Sequence, residues 1–132
     1  MTSGKARPKV VARGDVATGP VSGAKRTAMA TLIGAADGAA SMSLRRFVIE
    51  PGGIIPAHTH PDIEHEQIVI SGEMILYLAG DEHRASAGDA VFIPAGSVHR
   101  YENRTDRPVE FICVIPATAG YRTEWHEDNG RA

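Results

Sequence analysis

Short apolar runs rich in Val, Ile and Phe recur along the middle of the chain, and none shows the length or the one-sided stripe of a helix. Turn-forming residues, mainly Gly, Pro, Asp and Asn, separate these runs. About eight short strands with hairpin-like connections predict an all-β sandwich or barrel. The predicted strands are Lys9–Ala12, Thr27–Ile33, Ser43–Glu50, Gln67–Ile70, Met74–Leu78, Ala90–Ile93, Ser97–Glu102 and Val109–Ile115.

The 132 residues provide material for one domain with one hydrophobic core. We expect the core within residues 27–116, preceded by an N-terminal strand or tail over residues 1–26 and followed by a C-terminal tail over residues 117–132. Residues 34–41 contain two glycines and no apolar stripe, which predicts a loop rather than a helical stub. The simplest candidates for core side chains are Ile68, Met74, Phe92 and Val98.

Charge and cysteine content narrow the possible partners. A formal charge of −2 offers no electrostatic reason to bind nucleic acid or an anionic membrane surface. No stretch approaches the roughly 20 apolar residues that span a bilayer, and no apolar leader follows the first residue. The single cysteine, Cys113, lies in an apolar run and excludes an intrachain disulfide. We therefore expect a cytoplasmic protein without nucleic-acid or membrane partners.

Histidines carry the clearest chemical signal, since three of the six fall within eight positions. Side chains at i and i+2 of a strand share a face, so His58 and His60 can present two imidazoles side by side. His65 follows a Pro-Asp bend at the start of the next strand, and His99 follows a Pro-Ala-Gly turn. Neutral imidazole is the commonest protein ligand for transition metals. These four residues are therefore candidate metal ligands.

Two segments of the sequence resemble the two motifs of the cupin family. In Gly53–Gly72 a glycine precedes a His-x-His pair, an acidic residue and a closing glycine, as in the first motif. Residues 88–103 match the second motif at Gly88, Pro94, Gly96, His99 and Asn103. The resemblance implies a single cupin domain, a double-stranded β-helix or jelly-roll barrel, with a metal near one open end.

The family resemblance also implies a set of metal ligands. In cupins the two histidines and the glutamate of the first motif bind the metal together with the histidine of the second motif. Position by position, this assigns His58, His60 and His99 as ligands of one divalent transition metal. Mn, Fe, Ni, Cu and Zn all remain compatible with such a site.

The third ligand is where this sequence departs from the family pattern. Counting forward from His60 selects Glu64, whereas counting back from Gly72 selects His65. We favour His65, because the local sequence also resembles a subgroup of small cupins with four histidine ligands. Gln67 would share the inward face of the strand with His65 and is the next candidate, either as a ligand or as a substrate-binding residue.

Other side chains would line such a site. Tyr101 lies two residues after His99 and should share its inward face, where it could orient a ligand or donate a proton. The alternative is that Tyr101 only packs at the barrel mouth. Arg45 and Arg46 are neighbours on one strand, so one of them should point inward and bind a carboxylate. Strand parity alone does not decide between them, and Arg46 is our candidate.

Four neutral ligands would leave the metal charge uncompensated and its coordination shell open, which favours a functional site over a structural one. The resemblance implies a metalloenzyme that acts on a small organic substrate, with oxygen-dependent, dioxygenase-like or other oxidoreductase chemistry. The alternatives are a non-catalytic small-ligand binding protein and a cupin isomerase, cyclase or lyase. Exposed edge strands in Lys9–Ile33 predict a homodimer.

Overall fold

The computed structural model describes residues 6–117 and 121–126, which form a nearly closed antiparallel β-barrel. Two short 3-10 helices, Arg13–Asp15 and Ala35–Asp37, lie outside the strands. The prediction of an all-β barrel is confirmed. The strands are β1 (Gly19–Pro20), β2 (Lys25–Ile33), β3 (Met42–Thr59), β4 (His65–Ser71), β5 (Glu73–Leu78), β6 (Asp81–Ser86), β7 (Ala90–Ile93), β8 (His99–Glu102), β9 (Val109–Pro116) and β10 (Glu124–Trp125).

Strand β3 organises the barrel, because its two halves pair with different neighbours. The strand order is β6-β5-β8-β3-β9-β4-β7, and β2 lies on the other side of β3. Residues 42–49 of β3 pair with β9, whereas residues 54–58 pair with β8. Backbone hydrogen bonds between Gly52, Gly53 and Asn103 keep the chain in the sheet where the sequence predicted a turn. The predicted strand Ser43–Glu50 is therefore too short, and its continuation carries His58 to the site.

The barrel interior is filled by aliphatic side chains around a stack of three aromatic rings. Phe47 and Phe111 stack at 5.0 Å between ring centroids, and Tyr101 stacks on the other side of Phe111 at 5.3 Å. Stacked rings at such distances add to the stabilisation from buried apolar area. Met74, with 1% exposure, belongs to this core as predicted. The stack therefore joins the core to the site, because Tyr101 also lines the cavity described below.

Two predicted core residues lie on the outer surface instead. Ile68 is 45% exposed and Phe92 is 56% exposed, while Val98 is only partly buried. The reason is strand parity, since the inward positions of β4 are His65, Gln67 and Val69 and those of β7 are Val91 and Ile93. The prediction that Ile68 and Phe92 are core residues is wrong, because each alternates with these inward positions and faces outward.

Three further elements differ from the sequence prediction. Lys9–Ala12 forms no strand, and the N-terminal pairing comes from β1. The polar strand β6 was not predicted, because its exposed residues lack apolar alternation; it forms a hairpin with β5 through a turn at Ala79 and Gly80, both with positive φ. A 3-10 helix interrupts the loop predicted over residues 34–41.

The C-terminal tail predicted over residues 117–132 is partly built into the barrel, since β10 pairs with the end of β3. Residues 1–5, 118–120 and 127–132 of the two predicted tails lie outside the described residues. Within residues 6–117 and 121–126, no helix is long and apolar enough to cross a membrane.

Candidate metal centre

The ends of three strands bring four histidines to one side of the barrel interior. His58 lies near the end of β3, where it pairs with His99 at the start of β8. The carbonyl oxygen of His60 accepts hydrogen bonds from the amides of Ile63 and Gly96, at 3.3 and 3.1 Å. These two bonds hold the turns before β4 and before β8 against the end of β3. The strand starts at His65 and His99 are thereby brought to the same place.

The four imidazole rings form a compact cluster. The ring centroid of His58 is 4.1 Å from that of His99 and 4.8 Å from that of His60. The ring of His65 is 4.8 Å from that of His60 and 5.6 Å from that of His99. One ring nitrogen from each of His58, His60 and His99 lies within 4.8 Å of the others. Three buried histidines of the described chain could therefore hold one metal ion.

Backbone carbonyl groups orient three of the rings. The Nδ1 atoms of His58, His60 and His99 lie 2.7, 3.0 and 2.9 Å from the carbonyl oxygens of Pro56, Arg122 and Ser97. A carbonyl can only accept, so each Nδ1 must carry the hydrogen when the ring is neutral. The lone pair then lies on Nε2, which is the arrangement found when histidine binds a metal through Nε2.

Of the two residues considered for the fourth position, only His65 lies in the cluster. Its ring is 2% exposed, whereas Glu64 is exposed and faces Glu66. Gly72, from which the spacing was counted, follows β4 with φ of 83°, and a Cβ there would collide with the carbonyl oxygen of Pro108. Glycine is therefore required directly after β4, and the alternation along β4 places His65 on its inward face.

Burial keeps the cluster neutral. Loss of hydration lowers the pKa of His58 to about 4, that of His99 to about 3 and that of His65 to about 2. Burial also lowers the pKa of His60. Mutual repulsion between the rings adds to this effect at His58, His65 and His99. All four rings therefore offer lone pairs rather than protons near neutral pH, as metal binding requires.

Unpartnered polar atoms test whether a metal fits this cluster. His99 Nε2 and His65 Nδ1 are buried, and neither has a hydrogen-bond partner among the described residues. Such atoms cost free energy unless a ligand or ion satisfies them. An ion about 2.1 Å from each nitrogen requires the nitrogens to be no more than about 4.2 Å apart, so the rings need to close by about half an ångström. The residues present therefore fit a transition metal that prefers imidazole.

Tyr101 and Gln67 lie together beside the histidines. The Gln67 side-chain nitrogen donates a hydrogen bond to the Tyr101 hydroxyl oxygen at 2.7 Å, and the Tyr101 ring lies 5.7 Å from that of His99. Burial raises the pKa of Tyr101, so its hydroxyl stays protonated at neutral pH. The carbonyl oxygen of Gln67 is buried without a partner among the described residues.

The inward arginine is Arg45 and not Arg46. Arg46 bonds to Glu110 at 2.6 Å on the outer face of β3, and it does not line the cavity. Arg45 is 9% exposed and lines the cavity with the histidines. Our assignment of Arg46 to the site is therefore corrected, and the reason is register: the inward positions of β3 at this level are Arg45, Phe47 and Ile49.

Residues 121–126, which we call the C-terminal segment, contribute side chains that the sequence did not assign to the site. The Tyr121 hydroxyl lies 3.2 Å from His60 Nε2, and the Trp125 ring lies 5.1 Å from that of His58. Trp125 pairs with His58 through the backbone. The signal available in the sequence was the presence of two aromatic residues in an otherwise polar tail.

A cavity of about 260 Å³ lies in front of the histidines. Its wall is largely apolar and aromatic, and none of the described residues that line it is acidic. The lining consists of Pro20, Val21, Ser22, Met29, Arg45, Phe47, Ile55, His58, His60, His65, Gln67, His99, Tyr101, Tyr121, Thr123 and Trp125.

A barrel of this topology with histidines at the ends of its strands defines a class of small β-barrel proteins whose interior could hold a metal ion, and sequence comparison gives the family. The profile described as Cupin domain matches residues 45–115, which is more than half of the chain. The chain belongs to the cupin family.

Three bacterial proteins are among those to which the chain is similar. The chain is similar to the polyketide cyclase RemF from Streptomyces resistomycificus, with 33% identity, a TM-score of 0.84, and coverage of 92% of this chain and 89% of that structure. A predicted oxalate decarboxylase from Thermotoga maritima has 25% identity, a TM-score of 0.74, and coverage of 83% and 100%. The tetracenomycin polyketide synthase protein TcmJ from Streptomyces glaucescens is 30% identical over 62% of this chain. The match spans only 55% of TcmJ, about half of its length.

Proposed function

We propose that this protein is a metal-dependent enzyme that cyclises a polyketide or a related polyketone. In this proposal His58, His60, His65 and His99 hold one divalent transition metal. The observation that carries it is the convergence of four buried, neutral imidazoles on an apolar cavity whose described lining contains no carboxylate. The similarity to RemF and TcmJ supports the choice of substrate class.

The residues around the cavity suit this reaction. A bound divalent metal supplies Lewis acidity toward a ketone oxygen. In a cyclisation of this type, a methylene carbon loses a proton and bonds to a distant carbonyl carbon, whose oxygen takes up a proton and becomes a hydroxyl. The same methylene carbon then loses its second proton, a carbon–carbon double bond forms, and the hydroxyl takes up a proton and leaves as water. No oxidant is consumed. The neutral Tyr101 hydroxyl is the hydrogen-bond donor for the oxygen that gains charge, and Gln67 holds it by donating to its oxygen.

The test compares Tyr101→Phe with Tyr77→Phe, a tyrosine outside the cavity lining. A synthetic triketo acid is incubated with the metal-loaded protein under nitrogen and under air, and products are followed by mass spectrometry. We expect a cyclic product that has lost one water, at the same rate in both atmospheres. Tyr101→Phe should lower kcat about 100-fold, as for loss of one donor to a developing oxyanion, and Tyr77→Phe should not.

Oxygen-dependent chemistry is the second candidate, and the donor set favours it. Four neutral ligands would leave the metal charge uncompensated, which would favour binding of an anionic substrate and of oxygen. Oxygen uptake in step with product, abolished in His58→Ala, would replace the cyclase proposal with this one. Saturable binding of the triketo acid without turnover in either atmosphere would instead favour a ligand-binding protein.

We also propose that the protein is a homodimer that pairs through Lys9–Ile33. The support is the outer edge of β2, which among the described residues is paired only with the two residues of β1. Edge strands of this kind are usually covered. Light scattering at micromolar concentration should give twice the mass of one 14.0 kDa chain, and a mass of one chain would contradict the proposal.

A further inference from the structure

Arg45 places a positive charge inside the cavity, and no carboxylate of residues 6–117 and 121–126 pairs with it. Its side chain is buried, and none of the ion pairs between described residues includes it. A buried charge is costly unless it is paired. The neighbouring Arg46 shows the usual solution, since it bonds to Glu110 on the outer face.

The contacts that Arg45 does make are with a hydroxyl, a sulfur atom and two aromatic rings, and none of these groups is a carboxylate. One terminal nitrogen lies 3.5 Å from the Tyr121 hydroxyl and the other lies 3.5 Å from the Cys113 sulfur. The Nε atom is buried with no hydrogen-bond partner among the described residues. The guanidinium carbon is 5.1 Å from the centre of the Phe47 ring and 5.4 Å from that of Tyr121. Aromatic faces hold a cation in place but do not neutralise it.

The other described residues of the cavity lining do not offset the positive charge of Arg45. None of the described lining residues is Asp or Glu. A divalent metal would add two more positive charges. The molecule that enters the cavity must therefore bring the negative charge.

We infer that Arg45 binds a carboxylate of the substrate, so the substrate is a free keto or hydroxyaryl acid rather than a neutral ketone or ester. This inference rests on the proposed function for the identity of the reacting part of the molecule. Guanidinium pairs with carboxylate through parallel hydrogen bonds, and the unpartnered Nε is available for one of them.

The position of Arg45 indicates how far the substrate carboxylate lies from the histidine cluster. The Tyr121 hydroxyl lies between Arg45 and His60, at 3.5 and 3.2 Å. A carboxylate on Arg45 is therefore close to the histidines, with only a short part of the substrate between them. The unpartnered carbonyl oxygen of Gln67 can accept a hydrogen bond from an enol or phenol hydroxyl. The arrangement fits an acid with a hydroxyl or enol group close to its carboxylate.

Salicylate and its neutral amide, salicylamide, form the matched pair of probes. Binding to the full-length protein is measured by calorimetry after chelation, so that no metal attracts the anion, and again on the protein as purified. We expect the chelated protein to bind salicylate about 10- to 100-fold more tightly than salicylamide, as for a hydrogen bond to a charged group. Equal affinities for the two probes in the chelated protein would overturn the inference.

Variants of Arg45 and Arg46 then test whether Arg45 causes the preference for salicylate over salicylamide. Arg45→Met should abolish it, Arg45→Lys should retain part of it because a point charge remains, and Arg46→Met is the matched control on the outer face. A preference that survives in folded Arg45→Met would also overturn the inference. If Arg45→Met does not fold, the probe pair on the parent protein and on Arg45→Lys decides the matter.

The outcome is separable from that of the proposed function. A preference for salicylate with no cyclisation of the triketo acid would leave the anion site standing and remove the cyclase. Cyclisation of the triketo acid without any preference for salicylate over salicylamide would leave the cyclase proposal standing and remove the anion site.

Discussion

Replacing His99 with alanine is expected to lower the affinity for a divalent transition metal by more than about 100-fold. Loss of a group that merely orients a ligand already costs about 10- to 100-fold, and His99 would be a ligand itself. Its Nε2 is buried and unpartnered, and its ring lies closest to that of His58. Elemental analysis of protein purified without added metal, followed by calorimetric titration of the chelated protein, measures the effect.

The matched control is His83→Ala. His83 lies on the exposed strand β6, and it does not line the cavity. Its replacement should leave metal content and affinity unchanged. Equal metal content in His99→Ala and in the parent protein would contradict the proposed metal centre, and the metal found in the parent protein would identify the ion.

Acid is expected to destabilise the metal-free protein steeply below about pH 6.5. In the unfolded chain the histidines take up protons near this pH, whereas in the folded protein His58, His65 and His99 stay neutral down to a pKa of about 4 or lower. Between about pH 6.5 and about pH 4 the unfolded state binds more protons than the folded state, so the free energy of unfolding falls as the pH falls. Each histidine contributes about 1.4 kcal/mol per pH unit, and three contribute about 4 kcal/mol per unit.

A domain of this size has a total stability of about 5–15 kcal/mol, so the chelated protein should unfold near pH 5. Thermal unfolding followed by circular dichroism from pH 8 to pH 4 measures this. His65→Leu should reduce the slope by about one third, because one proton-binding group is removed. Bound metal should move the transition to lower pH, since it binds only the folded state. A melting temperature that is constant between pH 7 and pH 5 would contradict the buried, neutral cluster.

The local sequence predicted the position of the histidines well, because spacing along a strand and the requirement for glycine each have one physical meaning. Spacing on an extended strand placed His58 and His60 on a common face, and the structure brings their ring centroids to 4.8 Å. Counting back from Gly72 pointed to the inward position of His65, because only glycine fits where β4 meets Pro108. The roles of these residues as ligands stay proposals.

Prediction failed where hydrophobicity does not show which face of a strand points inward. The rule that apolar side chains point inward placed Ile68 in the core, but the interior at this level of β4 holds His65 and Gln67. On β7 every residue is apolar, and Phe92 faces outward between the buried Val91 and Ile93. The two arginines were also assigned to the wrong faces of β3, since Arg45 is buried and Arg46 is not. Hydrophobicity alone therefore does not give the parity of these strands, because polar side chains face the cavity at some inward positions and apolar side chains face outward at others.

The sequence by itself determined the all-β class, most of the strands and the convergence of histidines from two distant motifs. These follow from local backbone preferences, from two-residue alternation and from fixed positions in the motifs. Only the tertiary structure decided that Arg45 rather than Arg46 faces the cavity, and that the C-terminal segment joins the site through Tyr121 and Trp125. The physical reason is that register between distant strands, such as β3 with β9 and β10, depends on the packing of the whole barrel and on no short stretch of it.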